Sequence, residues 1–168
     1  MRVGRPQRSG QCGEAFCKEH FGIEEDDTYE IKSCSYRNYQ FVTRCIQLLR
    51  FFKKTFVVVR YRREHRTITR GPRKGRRVPC ETIEQAYEKH LDVYAVTGEQ
   101  ILKLLVLNKA QVWATKFEND AHWAPYWVVK IRWLPTTVIY EDERCTVYGD
   151  PYNLPPFLHE VEEEEVPF

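Results

Sequence analysis

The chain has 168 residues, 42% hydrophobic and 14% aromatic, which is enough apolar material for one domain, or for one domain with a small module. Charged residues make up 30%, and no apolar run approaches the ~20 residues that cross a bilayer, which argues against a membrane protein. The net charge of +2 conceals an asymmetry, because residues 1–80 carry 19 basic and 8 acidic side chains, and residues 81–168 carry 7 and 16. A basic half opposed to an acidic half favours a polyanionic partner.

The first predicted unit is residues 1–37. Residues 1–11 show no periodicity, which predicts disorder, and no apolar stretch follows their positive charge as a signal peptide requires. Without an export signal, we interpret the six cysteines of the chain as reduced thiols in a nuclear or cytoplasmic protein. Residues 12–37 are polar, so this unit is expected to be flexible unless a metal stabilises it.

One spacing in this unit suggests such a metal. Cys12, Cys17, His20 and Cys34 form a C-x4-C-x2-H-x13-C set. Zinc takes thiolate and imidazole ligands in a tetrahedron, usually from two close pairs. Here one pair is close and the last cysteine is distant, so Cys45 or Cys80 could take its place, and a set of unpaired reduced thiols is the alternative. The sequence therefore makes zinc a candidate cofactor.

The second predicted unit is residues 38–110. Apolar residues recur at helical spacing from Val42 to Phe52, which predicts a helix there. The next run, TFVVVRYRRE, predicts a strand that is buried early and exposed late, with RTITRG as a candidate partner strand and GPRKGRR as a loop. Two more helices are predicted, one from Glu81 and one capped by Thr97 that ends near Asn108.

The strongest functional signal is that residues 50–77 hold twelve basic side chains and one acidic one. Each phosphate contact releases counterions, and arginine both forks onto phosphate and stacks on bases. Tyr61 lies among them and could stack on an unpaired base. The sequence predicts charge- or shape-based binding of RNA or DNA through Arg60, Arg62, Arg63, Arg66, Arg70, Arg73, Lys74, Arg76 and Arg77. A solvated edge strand and, in RGPRKGRR, a nuclear localisation signal are the alternatives.

The third predicted unit, residues 111–157, changes to β-rich segments separated by turns. Its two stretches VWATKFENDAHWAPYWVVKIRW and TTVIYEDERCTVYGDPYNLPPF give an aromatic strand, a polar loop, a second strand opened by aromatic residues, a third ending in tyrosine, and a last strand before a helical turn. This cadence resembles the small SH3-like barrels of the Tudor and PWWP group and of the C-terminal domain of retroviral integrases. The resemblance covers less than a third of the chain.

The resemblance implies a second function. Tudor-like barrels can surround a methylated ammonium with aromatic rings, which attract it by cation–π interaction. Carried over to this sequence, the cage would use Trp113, Trp123, Tyr126 and Tyr140, with Glu141 or Asp142 supplying negative charge. The chain would then be a protein-interaction module that binds a peptide or a methylated tail. The alternative is that these rings fill the core and rim of a sheet.

No catalytic site is predicted. The stretch GQCGEAF suggests a cysteine nucleophile, but none of the five histidines stands in a recognisable partner motif. The sequence also lacks G-x-S-x-G, H-E-x-x-H and a phosphate-cradling glycine loop. A short chain without catalytic motifs also fits a small viral accessory protein that captures a host factor.

We therefore expect a non-enzymatic α+β protein. Its predicted order is a helix with a basic β element, two helices, and a small antiparallel SH3-like sheet or barrel. Residues 158–168 are predicted to be an acidic tail. The opposed charges suggest the hypothesis that this tail competes with nucleic acid for the basic face.

Overall fold

Ten strands and four α-helices make up the regular structure in residues 5–50, 52–116 and 123–158, which the computed structural model describes. In chain order they are α1 (Arg5–Phe21), β1 (Tyr29–Ser35), β2 (Gln40–Arg44), α2 (Cys45–Arg50), β3 (Thr55–Tyr61), β4 (His65–Thr67), β5 (Arg77–Pro79), α3 (Ile83–Tyr87), β6 (Leu91–Thr97), α4 (Gly98–Leu107), β7 (Trp113–Thr115), β8 (Ala124–Lys130), β9 (Val138–Glu141) and β10 (Cys145–Tyr148). A short 3-10 helix, Ile131–Trp133, follows β8.

The centre of the fold is a mixed five-stranded sheet in the order β1-β3-β6-β10-β9. Strand β1 is parallel to β3 and β6 is parallel to β10, whereas β3 and β6 are antiparallel. All seven residues of β3 are buried, because both faces of the sheet are covered there. The β-branched run Val57–Val59 suits this position, and each such buried side chain contributes about 1.5–3 kcal/mol.

The two faces of the sheet carry separate hydrophobic clusters. On one face, α1 and α3 pack Phe16, Cys17 and Tyr87 against Val57 and Val59. The other face is covered by α4 and by a second sheet in the order β2-β8-β7, whose core residues pack against Phe56, Val58 and Val96 on the central sheet. A third, two-stranded sheet of β4 and β5 completes the strands of the described chain.

The predicted α+β class is confirmed, and so are several local signals. Thr97 caps α4 in a capping box with Gln100, and Asn108 ends that helix. Thr82 and Gln85 form the same motif at α3. The four β-rich segments after residue 111 contain β7 to β10.

The prediction of disorder at the N-terminus is wrong for the described part of residues 1–11, which begins α1. The buried residues of this helix include Ser9, Gly13, Phe16 and Cys17, one helical stripe. The first two of these, Ser9 and Gly13, are small and not hydrophobic, so hydrophobic periodicity does not reveal this helix. Gly13 lets α1 approach β1 closely, because a Cβ at this position would lie 3.0 Å from the Cβ of Ser33.

The helix predicted between Val42 and Phe52 is also partly wrong, because the chain forms β2 first and the helix α2 begins only at Cys45. The strand predicted at RTITRG exists as β4, but it pairs with β5 and leaves β3 between β1 and β6. Strand β6 had no counterpart among the predicted elements. Its residues 93–96 are buried without alternation, a pattern that resembles a buried helix as much as a strand.

Residues 111–157 do not form a closed barrel in the part of the chain that the structure describes. Strands β7 and β8 belong to the second sheet, whereas β9 and β10 extend the central sheet. The relation of this segment to SH3-like proteins stays a prediction. The predicted acidic tail, residues 158–168, lies outside the described residues except for Leu158, which is buried, and so does most of the turn NDAHWAP.

A close approach of backbones at the start of α4 gives a stability prediction. A Cβ on Gly98 would lie 2.6 Å from the Cα of Phe52 and 2.8 Å from its carbonyl oxygen. We expect Gly98→Ala to lower the free energy of unfolding by about 1–3 kcal/mol, because the backbone must move. Gly10→Ala is the matched control, since Gly10 lies within α1 with no atom within 4 Å of its Cβ position. Urea titrations should show this control unchanged or stabilised by about 1 kcal/mol; equal midpoints for the two variants would contradict the clash.

Candidate nucleic-acid interface

The basic run is folded into a hairpin that we call the basic arm, residues 65–79. Strands β4 and β5 pair His65 with Pro79 and Thr67 with Arg77. The loop between them is held by backbone hydrogen bonds from Ile68 N to Arg76 O at 2.9 Å and from Gly75 N to Ile68 O at 2.8 Å. Gly71 and Gly75 have φ of 87° and 89°, a conformation that favours glycine.

The base of the arm is anchored to the segment before α3. The Nε of Arg63 donates to the carbonyl of Glu81 at 2.7 Å, and the Glu64 amide donates to the Glu81 carboxylate at 2.6 Å. Lys89 lies 2.7 Å from the Glu81 carboxylate and 3.7 Å from that of Glu64. Lys89 therefore pairs with the carboxylates nearest to the arm, and the arm's own cations are left to solvent.

Six of the nine predicted phosphate contacts lie together on the arm. All six are exposed, and within the described residues none forms an ion pair: they are Arg66, Arg70, Arg73, Lys74, Arg76 and Arg77. Residues 66–77 contain no acidic side chain. The arm therefore presents a concentrated positive charge to solvent.

The other predicted contacts differ from the arm in exposure. Arg62 is exposed, and its guanidinium lies 4.6 Å from the ring centroid of Tyr36. Arg60 and Tyr61 are only 9% and 6% exposed, so the prediction of an exposed end of the strand is wrong there. The cause is that β3 is an inner strand, covered on both faces. Tyr61 packs against Tyr87 at 5.1 Å between ring centroids and cannot stack on a base.

Segment 35–40 contributes to two clefts, and only the first of them includes a residue of the arm. The first, the arm cleft, has a volume of about 550 Å³. Its polar lining includes Lys32, Arg37, Arg63 and His65, together with hydroxyl and amide groups. Within the part of the chain that the structure describes, no carboxylate side chain lines this cleft, although Lys32 lies 3.9 Å from the carboxylate of Glu30.

The second cleft, the tyrosine cleft, has a volume of about 690 Å³ and is lined mainly by Tyr36, Tyr39, Arg60, Tyr94, Lys130 and Arg132. Of the residues that line this cleft, only Arg60 was predicted from the sequence as a binding residue. The aromatic and basic letters of SYRNYQ were a signal for its first half. Nothing local in the sequence connects them with Lys130 and Arg132, which reach the site only because Gln40 pairs with Lys130 between β2 and β8.

The predicted aromatic cage is not assembled. Trp113 and Tyr126 are cross-strand partners in the second sheet, where Trp113 is 52% exposed. Tyr140 belongs to β9 in the central sheet, where its ring lies 6.4 Å from that of Phe21. Trp123 is exposed and precedes β8. The rings are therefore divided between two sheets.

The four predicted zinc ligands also do not meet. Cys12 and Cys17 lie beside the cluster under α1, whereas Cys34 packs into the cluster on the opposite face of the central sheet. Burial raises the pKa of Cys17 to about 12 and that of Cys34 to about 11, so both thiols keep their protons at neutral pH. All six cysteines are free thiols.

The structure instead brings His20 close to Asp142 and Cys145, with donor atoms within 4.8 Å of one another. These donor types suit zinc. However, Asp142 already accepts hydrogen bonds from His20 Nε2 at 2.6 Å and Tyr140 at 2.9 Å, and from the amides of Arg144 and Cys145. Burial, followed by the nearby charge of Asp142, raises the pKa of Cys145 to about 12. The group is satisfied as a hydrogen-bonded network, and bound zinc stays a prediction.

The helices of residues 5–50, 52–116 and 123–158 include none with the length and hydrophobicity needed to cross a bilayer. A comparison of the chain with models of protein families, with curated proteins and with solved structures finds no match. The function must therefore be argued from the geometry of the arm and its two clefts.

The Asp142 network gives a pH prediction. Burial alone would raise the pKa of Asp142, but hydrogen bonds from Tyr140, His20 and two backbone amides lower it from 3.8 to about 2. A depressed pKa stabilises the fold above the ordinary value, and this contribution is lost as the pH falls towards 2. We expect Asp142→Asn to lower the free energy of unfolding by about 1–2 kcal/mol at pH 7, with a smaller difference below about pH 4.

Urea titrations followed by tryptophan fluorescence at several pH values would measure this difference. Glu143→Gln is the control, because it removes the same charge one residue away from an exposed position. A difference that stays constant between pH 7 and pH 3 would contradict the role of the ionised carboxylate.

Proposed function

We propose that the chain is a nucleic-acid-binding protein that contacts phosphates through the basic arm. The observation that carries this proposal is the set of six exposed cations in residues 66–77, with no acidic residue among them. A solvated loop with no ligand usually carries both acidic and basic side chains. In this hairpin the like charges repel one another unless a polyanion binds. The proposed polyanion is RNA or DNA, and a nuclear or cytoplasmic location belongs to the same proposal.

The shape of the arm supports the proposal. Its backbone hydrogen bonds and its anchored base limit the entropy that is lost when phosphate binds. The arm cleft adds Lys32, Arg37 and Arg63 beside the hairpin. Arginine predominates on the arm, and its planar fork suits phosphate oxygens. Contacts of this kind position a backbone without reading its sequence, so binding is governed by charge and shape.

The arm is tested by removing four of its cations together, as Arg70→Gln, Arg73→Gln, Lys74→Gln and Arg76→Gln. If all four contact phosphate, the slope of log affinity against log salt becomes shallower by about 3 to 4 for a duplex. We expect affinity to fall at least about tenfold near physiological salt. Fluorescence anisotropy of a labelled duplex across a salt series measures both quantities.

The matched control removes four exposed lysines elsewhere, as Lys18→Gln, Lys53→Gln, Lys103→Gln and Lys109→Gln. It changes the net charge by the same amount, so it separates a local surface from the charge of the whole chain. Equal salt slopes for the wild type and the arm variant would overturn the proposal, as would equal losses for the two variants.

Protein binding is the second candidate function, and an exposed apolar surface favours it. Ile46 and Leu49 on α2 are 58% and 60% exposed, although their spacing is that of a core-facing stripe. Val42 and Trp113 on the adjoining second sheet are 38% and 52% exposed. Large apolar side chains exposed on neighbouring elements are one mark of an interaction site. This surface differs from the predicted aromatic cage, because it consists mainly of aliphatic side chains.

A second copy of the chain is the partner to test first for the apolar surface. If two copies meet there, Leu49→Glu should weaken self-association at least about tenfold, because it places a charge in an apolar contact. Light scattering over a concentration series measures the mass of the wild type and the variant. Tyr152→Glu is the control, since Tyr152 is 98% exposed in another part of the fold. A wild type that stays monomeric throughout would contradict self-association.

A further inference from the structure

The tyrosine cleft contains a buried cation with unused hydrogen-bonding capacity. Arg60 is 9% exposed, and its guanidinium stacks on the Tyr36 ring at 4.0 Å and donates to the Tyr36 carbonyl at 3.0 Å. Its Nε has no hydrogen-bond partner among the described residues. A buried donor without an acceptor is uncommon in folded proteins and costs about as much as a lost hydrogen bond. Arg60 lines the tyrosine cleft, so its positive charge is available to attract an anionic ligand there.

The cleft also offers an aromatic ring to solvent. Tyr39 is 72% exposed, and Arg60 lies 5.8 Å from its ring centroid. The backbone beneath the ring is fixed, because the carbonyl of Tyr39 accepts from the amide of Ile131 at 2.8 Å. An exposed ring on a fixed backbone can stack on a base at a small entropic cost.

The charge and the size of the tyrosine cleft limit the chemical class of ligand that fits it. Lys130 and Arg132 join Arg60 in the lining, and no carboxylate among the described residues lines the cleft, although Asp92 accepts a hydrogen bond from the Tyr36 hydroxyl. Its volume of about 690 Å³ lies within the range of roughly 300–1,000 Å³ that small-ligand sites occupy. A planar ring with an attached anion satisfies both the aromatic and the cationic side chains, and a nucleotide unit has this chemistry.

The cleft is connected to the arm by the chain itself. Arg60 lines the tyrosine cleft, Arg62 lies over the ring of Tyr36, which also lines that cleft, and Arg63 lines the arm cleft beside the hairpin. These three arginines form a basic path between the arm and the tyrosine cleft, which suits a polynucleotide that contacts both. A base within a duplex has neighbours on both faces, so only an unpaired base can enter.

We propose that the tyrosine cleft holds one unpaired base against Tyr39, with its phosphate at Lys130 and Arg132. The chain then prefers single-stranded over double-stranded nucleic acid. This inference rests on the proposed function and adds the class of strand to it. The arm supplies affinity for either form, and the cleft supplies the preference.

The test compares a labelled single strand of about 16 nucleotides with the duplex formed by its complement, at one salt concentration. We expect the wild type to bind the single strand about tenfold more tightly. Tyr39→Ala should remove this preference by weakening single-strand binding about tenfold while changing duplex binding less than about twofold. Tyr39→Phe keeps the ring and should retain the preference. The double variant Lys130→Gln, Arg132→Gln should also weaken single-strand binding more than duplex binding.

The outcomes separate the two proposals. The role of the cleft is overturned if Tyr39→Ala loses affinity equally for the single strand and the duplex, or loses affinity for neither. A wild type that binds the duplex without preferring the single strand also overturns it and leaves the arm standing. A wild type that binds neither probe overturns the proposed function. Tyr152→Ala controls for the removal of an exposed tyrosine elsewhere, and circular dichroism confirms that each variant is folded.

Discussion

The burial of β3 on both of its faces is the constraint on which the rest of the structure depends. Helices α1 and α3 cover one face and α4 with the second sheet covers the other, so every residue from Thr55 to Tyr61 is buried. This includes Arg60, whose charge costs several kcal/mol to bury without partners. The ring and carbonyl of Tyr36 supply partners for it. Segment 35–40 is thereby held against the end of β3, where it contributes to both clefts.

The same burial places the basic arm outside the core. The sequence after Tyr61 remains strongly basic, and its residues could not continue the central sheet without bringing more charges between the apolar layers. The chain instead leaves the sheet and is fixed by Arg63 and Glu64 to Glu81. The cations of the arm therefore project from an anchored base. Such pre-organisation favours phosphate binding more than a free loop of equal charge would.

Patterns within short stretches of sequence predicted some elements correctly. The apolar, β-branched run of β3 predicted a strand and Thr97 predicted a helix N-cap, but the strands that pair with β3 could not be predicted in this way. Helix α1 was missed because Ser9 and Gly13 occupy part of its buried stripe. The four predicted zinc ligands do not meet, because alternate residues of β1 face opposite sides of the sheet and Cys34 lies on the side away from Cys17. The predicted aromatic cage does not form because β9, which carries Tyr140, pairs with β10 in the central sheet.

The tyrosine cleft illustrates what no local pattern contains. Tyr39 and Lys130 are distant in sequence, and the antiparallel register of β2 and β8 alone brings them together. The cost of this site is concentrated at the unpaired Nε of Arg60, about 1–3 kcal/mol for a buried donor. The proposed site therefore places a buried cation that is costly to the fold beside Lys130 and Arg132, where its positive charge attracts the phosphate of the bound nucleotide.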